Sequence, residues 1–354
     1  MSRSLRLAAV LSALALAACT AATEEPGAAP TPAPAPAPAP GEDDEPTVDP
    51  VRIVATTSIL GDLVGTLVGA DGTVEVLMGP GVDPHTYAAS AADAAAMRDA
   101  DLVVANGLLL EEGLLAALES AVADGARVIE VAPGLDPIPF GAGAHDHGDD
   151  DHDHDHDHGD DDHDHGDDHG DDHGDLDPHF WFDPLRAAVA GELVATELAA
   201  VRPEVDWAGR AASLRTELEA LYAELAAAFA TIPEARRKLV TNHDALGYLA
   251  DRYGFEVVGT VIPGSSTSAE TDPASFAALA DLLVAEDIDV VFAETTDSDT
   301  LARQLASEAV GRGGLDVEVV TLHTGSLGPP GSGAETYAGM LRTDAALIVA
   351  ALAG

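Results

Sequence analysis

Of the chain's 14 histidines, four stand alone and ten stand together. Neutral imidazole is the commonest protein ligand for borderline transition metals, so both groups are candidate metal chemistry. The isolated four are His85, His179, His243 and His323. The others are His145, His147, His152, His154, His156, His158, His163, His165, His169 and His173. They lie in 145–175 among 16 aspartates, with no Lys or Arg. Two of the isolated residues share a context, Asp83-Pro84-His85 and Asp177-Pro178-His179. Proline fixes its own φ and restricts the residue before it, so each imidazole starts from a stiff platform. A preformed ligand loses less entropy on binding, and the neighbouring carboxylate can hydrogen-bond the far ring nitrogen.

The elements that must hold these side chains read as α/β. Val51–Thr57, Val74–Met78, Asp101–Ala105 and Arg127–Val131 are short β-rich runs with helical stretches between them. The second half repeats the style in Lys238–Thr241, Glu256–Val261, Asp289–Ala293 and Asp316–Leu322. Strands alternating with helices imply parallel βαβ units, whose ligands sit outside the carboxyl ends of the strands. His85 follows the second run through a turn. His243 follows Lys238–Thr241 at the head of a helix expected over Asp244–Tyr253, and His323 ends the last run. Between the halves, residues 205–230 carry Leu214, Leu218, Leu221, Leu225 and Phe229 on one helical stripe. That is a single helix of about seven turns joining two α/β lobes.

Composition narrows the partners. Sixteen basic against 63 acidic residues leave a formal charge of −47, which repels nucleic acid and anionic lipid and favours cations. Cys19 is the only cysteine, so no internal disulfide and no multi-cysteine zinc site can form. Arg3 and Arg6 precede an apolar run ending in Leu16-Ala17-Ala18-Cys19, the pattern of a signal peptide over 1–18 with a lipobox. Cys19 would then be the lipidated N-terminus, anchoring the protein to the cell membrane on its extracytoplasmic side. Residues 19–50, rich in Pro and Ala, read as a semi-rigid tether. The remaining organisation is an N-terminal lobe over 51–204 that includes the 145–175 tract, the linking helix over 205–230 and a C-terminal lobe over 231–354.

GVDPHTYAAS, DPHFWFDP and TNHDALGYLADRYG together resemble the three histidine motifs of the solute receptors of bacterial zinc and manganese ABC importers. The resemblance spans about 51–351. It implies two similar lobes, each a mainly parallel sheet flanked by helices, joined by one long rigid helix with the metal in the cleft between them. It implies His85, His179 and His243 as ligands, the first two from the N-terminal lobe and the third from the C-terminal lobe. It also implies a monomer that delivers the ion to a membrane permease driven by an ATPase. Members similar to the zinc receptors carry His at the third position, and manganese receptors generally carry a carboxylate. His243 therefore favours Zn2+ over Mn2+, in keeping with the preference of manganese for oxygen. The family often supplies a fourth ligand, an Asp, after the last strand, where this chain has Gly325. Water, Glu294 or His323 remain for that position.

The tract cannot bury apolar surface and should be disordered. Its imidazoles suit auxiliary metal capture, weaker than in the cleft because a floppy chain must be organised around each ion. Rival readings are a surface zinc buffer in which the tract is the main function, and a zinc hydrolase with a metal-bound water. No HExxH or GxSxG motif is evident and only Glu294 would serve as base, so the expectation is a receptor and not an enzyme.

Overall fold

A computed structural model describes residues 49–141, 176–262, 264, 266, 267 and 271–354. Signal-like segment 1–18, Cys19, nearly all of the tether and the whole His/Asp tract lie outside the described residues. Asp49–Gly354 forms one compact unit.

The first half runs β1 (Val51–Thr57), α1 (Ser58–Val68), β2 (Gly72–Met78), α2 (Ala91–Asp99), β3 (Leu102–Ala105), α3 (Leu115–Ala123) and β4 (Val128–Glu130), followed by α4 (Pro184–Val201). Helix α5 (Trp207–Phe229) leads to β5 (Lys238–Thr241), α6 (Gly247–Tyr253), β6 (Glu256–Thr260), α7 (Pro273–Ala285), β7 (Val290–Glu294), α8 (Thr300–Gly313), β8 (Glu318–Leu322) and α9 (Tyr337–Leu352). The strands form two four-stranded sheets, ordered β2-β1-β3-β4 and β6-β5-β7-β8, with every pairing parallel. Both halves thus use the same order. In each, the strand order reverses between the first and third strands, which opens a crevice at their carboxyl ends.

Strand β3 is buried along its whole length, as is β7, because helices cover both faces of each sheet. Helix α5 buries Leu214, Leu218, Leu221, Leu225 and Phe229, the expected stripe. Asp206 caps it by accepting the Gly209 N–H at 2.9 Å. One apolar core continues from Ile53 and Leu102 of the first sheet through this stripe to Phe292 and Leu322 of the second. Truncating a stripe leucine to Ala would cost roughly 2–5 kcal/mol.

One feature adds to the expected layout and another departs from it. Helix α9, placed by sequence in the C-terminal lobe, packs on α5 and reaches back to the first half. The Tyr337 N–H donates to Asp62 of α1 at 2.8 Å, and its hydroxyl donates to the Trp181 carbonyl at 2.6 Å. The halves are therefore tied by α9 as well as α5. Helix α6 begins at Gly247, three residues later than expected. The His243 carbonyl accepts from both Thr241 Oγ1 and the Ala245 N–H, which holds a turn before the helix can start.

The β3–α3 connection contains a run of positive φ: Gly107 at 85°, Leu108 at 53° and Leu109 at 60°. A left-handed conformation costs a non-glycine residue about 1–2 kcal/mol, so this turn must be held by its surroundings.

Candidate metal centre

The structure brings His85, His179 and His243 to one point. His85 Nε2 lies 3.3 Å from His179 Nε2, and His243 Nε2 lies 3.3 Å from the same atom. Ligand atoms of all three fall within 4.8 Å of one another, and among the described residues no other His, Cys, Asp or Glu joins the group. All three rings are buried. A tetrahedral ion with bonds of about 2.0–2.1 Å requires donor–donor edges of about 3.3–3.4 Å. The two measured edges match that requirement.

Each ring is delivered by a strand exit or a stiff turn. His85 leaves β2 through Gly79–Pro84, and the Asp83 carboxylate accepts the His85 backbone N–H at 2.9 Å. Asp177 repeats this turn, accepting the His179 N–H at 2.8 Å. Asp177 also holds the ring, with Oδ1 2.8 Å from His179 Nδ1. The parallel expectation for Asp83 fails. Its second oxygen accepts from Thr86 and Thr267, and His85 Nδ1 is buried without a partner. His243 follows β5, and Glu294 at the end of β7 puts Oε1 2.7 Å from His243 Nδ1. These two residues occupy the strands that flank the crevice of the second sheet. A carboxylate on Nδ1 fixes the tautomer and turns the Nε2 lone pair to the centre.

The environment sorts the protons. Burial, reinforced by the two neighbouring imidazoles, lowers His85 to about 3. Burial also holds His179 well below the usual histidine value. Burial works against charge on His243 too, but the Glu294 carboxylate outweighs it and holds this ring above the ordinary value. Glu294 resists burial through the same pairing and through bonds from Asn242 and Thr324, and sits at about 2. Asp177 is pushed up to about 7 by burial, opposed by the His179 backbone N–H.

The two residues suggested for the fourth position are engaged elsewhere. Glu294 Oε1 serves His243 and Asn242, and Oε2 accepts from Thr296 at 3.2 Å and Thr324 at 2.7 Å. His323 turns its ring and its backbone N–H to Asp344, at 3.1 and 3.0 Å. Neither belongs to the three-histidine group. Gly325 does face this region, since a Cβ there would lie 3.3 Å from Pro84 Cδ and 3.6 Å from Thr296 Oγ1.

Several supporting residues escaped the sequence reading. Trp181 packs edge-on against the His179 ring at 5.2 Å and donates through Nε1 to the Thr324 carbonyl at 2.8 Å. Thr324 in turn donates to Glu294, so the histidine loop of the first half is linked to the carboxylate behind His243. The FWF run after His179 was the available signal. The residues that flank the tract also stand by the centre. Pro139 bridges Leu176 in antiparallel fashion, and the Gly141 N–H donates to Asp244, next to His243, at 3.2 Å. The ten tract histidines themselves lie outside the described residues.

Comparison with known proteins agrees with this geometry. The chain is 30% identical over 306 residues to the manganese-binding lipoprotein MntA of Bacillus subtilis (strain 168), covering 85% of this chain and 90% of the relative. It is 27% identical over 303 residues to the zinc-binding protein TroA of Treponema pallidum, covering 85% and 88%. The solved structure of periplasmic TroA aligns with a TM-score of 0.72 at 26% identity, over 86% of this chain and all of that one. The model of the family described as ZnuA, zinc-uptake complex component A, periplasmic, matches residues 53–351. With that match over most of its length, the chain belongs to the ZnuA family of metal-binding receptors.

Proposed function

We propose that this receptor binds Zn2+ outside the cytoplasm through His85, His179 and His243 and delivers it to an ABC permease worked by its ATPase. The observation that carries the reading is the pair of 3.3 Å Nε2–Nε2 edges in an all-imidazole, buried donor set. Nitrogen donors suit zinc, whereas manganese prefers a site richer in oxygen. With Glu294 and His323 committed elsewhere, water takes the fourth position. Cys19 carries the lipid that holds a monomer at the membrane, 19–50 is its tether, and the lobes divide at the 205–230 helix. No helix among the described residues is long and apolar enough to cross a membrane. The histidines of 145–175 serve as auxiliary metal capture, which their number and their aspartate neighbours support.

A hydrolase would need a free base at the ion. Both oxygens of Glu294 are occupied, which favours binding without turnover. The deciding experiment is competition of zinc against manganese for the full chain and for His243→Ala, with metal kept below one equivalent. The expected outcome is zinc preference in the full chain and at least about a hundredfold weaker binding in the variant. Equal binding by the variant would refute the ligand assignment. Manganese preference in the full chain would refute the choice of ion alone.

A further inference from the structure

We infer that Glu111 is a positioning residue for the metal centre: its buried carboxylate locks the strained turn from which Asn106 and Gly113 brace the His179 and His85 loops. The inference rests on the three-histidine reading and adds to it a support in the first half that touches no ligand directly.

Glu111 is 1% exposed, yet no cation is among its hydrogen-bond partners. Its Oε1 accepts from Thr56 Oγ1 at 2.6 Å and from the Asn106 N–H at 2.7 Å, and Oε2 accepts the Gly107 N–H at 3.1 Å. A buried carboxylate is tolerated where several donors converge on it, and successive N–H groups in a turn of this kind form an anion-binding nest. Here the anion is supplied from within the chain. The two backbone donors open the turn whose residues Gly107, Leu108 and Leu109 all have positive φ. Replacing the carboxylate weakens the acceptor that holds that backbone in place.

The turn touches both ligand loops of this half. Asn106 Nδ2 donates to the Pro178 carbonyl at 3.0 Å, one residue before His179. At the other end, the Gly113 carbonyl accepts the Ala89 N–H at 3.3 Å, and a Cβ on Gly113 would fall 1.9 Å from the Tyr87 carbonyl oxygen. The chain two residues beyond His85 therefore lies against Gly113 without space for a side chain. One segment, Asn106–Gly113, fixes the separation of the loops that carry His85 and His179. By contrast, Glu294 meets a ligand ring directly, that of His243.

The test uses the full chain carrying Glu111→Gln or Asn106→Ala, with Co2+ below one equivalent as the probe. His243→Ala is measured alongside to subtract cobalt held by the histidines of 145–175. Visible absorption reports the ligand field, zinc competition reports affinity, and a thermal melt of the metal-free protein reports folding. The expected result is about tenfold weaker zinc binding with an altered cobalt band in both variants, in protein that still melts cooperatively. Asn106→Ala is the decisive variant should Glu111→Gln fail to fold, because it removes the brace to Pro178 and leaves the carboxylate in place. An unchanged cobalt band and unchanged affinity in Asn106→Ala would overturn the inference, whatever happens to the melting temperature. Should the full chain and His243→Ala give the same cobalt spectrum, the three-histidine reading itself has failed, and the inference falls with it.

Discussion

Glu294 Oε1 stands 2.7 Å from His243 Nδ1, a pairing that raises the histidine above its ordinary value and lowers the carboxylate to about 2. The pair explains how the one imidazole contributed by the second half is oriented, and it favours the ring's protonated form. An arriving cation competes with that proton for His243, and the carboxylate behind the ring offsets part of the ion's charge. His85 and His179 are different, because both are already neutral and need lose nothing.

Proton release follows from these states. At pH 6, His243 is protonated, since its value is raised above 6.5, and Asp177 at about 7 is largely protonated. Binding through His179 favours the ionised Asp177, which accepts the Nδ1 hydrogen. Zinc binding at pH 6 should therefore release close to two protons, and log affinity should rise by nearly two per pH unit. At pH 8 Asp177, at about 7, is largely ionised, so its share of the release should fall away. Calorimetry in buffers of different ionisation enthalpy, with zinc below one equivalent, measures the number directly. A pH-independent release would show that these two groups do not titrate on binding.

Glu294→Gln should separate orientation from charge. The amide can still meet Nδ1 but no longer stabilises a charged ring. Zinc affinity at pH 8 should fall by about ten- to a hundredfold, the range typical of partners behind a metal ligand. The His243 value should drop as well, so proton competition should begin at a lower pH than in the unaltered chain. Competition titrations at pH 6 and pH 8 check both parts, with a larger loss expected at pH 8.

Much of this site was legible before any coordinates. The Asp-Pro-His repeats and the placement of histidines after strands marked four isolated histidines as candidates, because stiff turns at strand ends are local properties, and the family resemblance selected His85, His179 and His243 from them. That the strands pair in parallel followed from the alternation of short β-rich and helical runs, whereas their order within each sheet did not. What could not be read were relationships between distant residues. Glu294 lies 51 positions from His243, and only the side-by-side placement of β5 and β7 unites them. The two Asp-Pro-His motifs are locally alike, yet Asp177 reaches its ring and Asp83 is drawn off by Thr267, 184 positions away. The contact of helix α9 with Asp62 likewise leaves no local trace in the sequence.

Gly325→Asp should place a carboxylate at the edge of the centre. A Cβ there meets Pro84 at 3.3 Å, a contact that needs a shift of only a few tenths of an ångström. The added oxygen donor should tighten binding and improve manganese relative to zinc, because manganese gains more from oxygen ligands. The ratio of the two affinities, by competition against one chromophoric chelator, is the measurement. An unchanged ratio would mean that position 325 does not reach the ion.

Deleting 145–175 should lower metal capacity without touching the tight site. The ten histidines of that tract bind only when neutral, so the extra ions carried by the full chain should be lost as pH falls through about 6.5. Equilibrium dialysis at pH 7.5 should show several zinc ions on the full chain and about one on the deleted chain. The remaining ion should bind with its affinity unchanged, because His85, His179 and His243 are positioned by Asp177, Glu294 and the turn around Glu111 rather than by the tract. Loading rate is the informative second readout. Ions gathered by the tract would raise the local supply to a chain that also holds the tight site. The deleted chain should then load more slowly from dilute zinc, and an equal rate would leave the tract as a store alone.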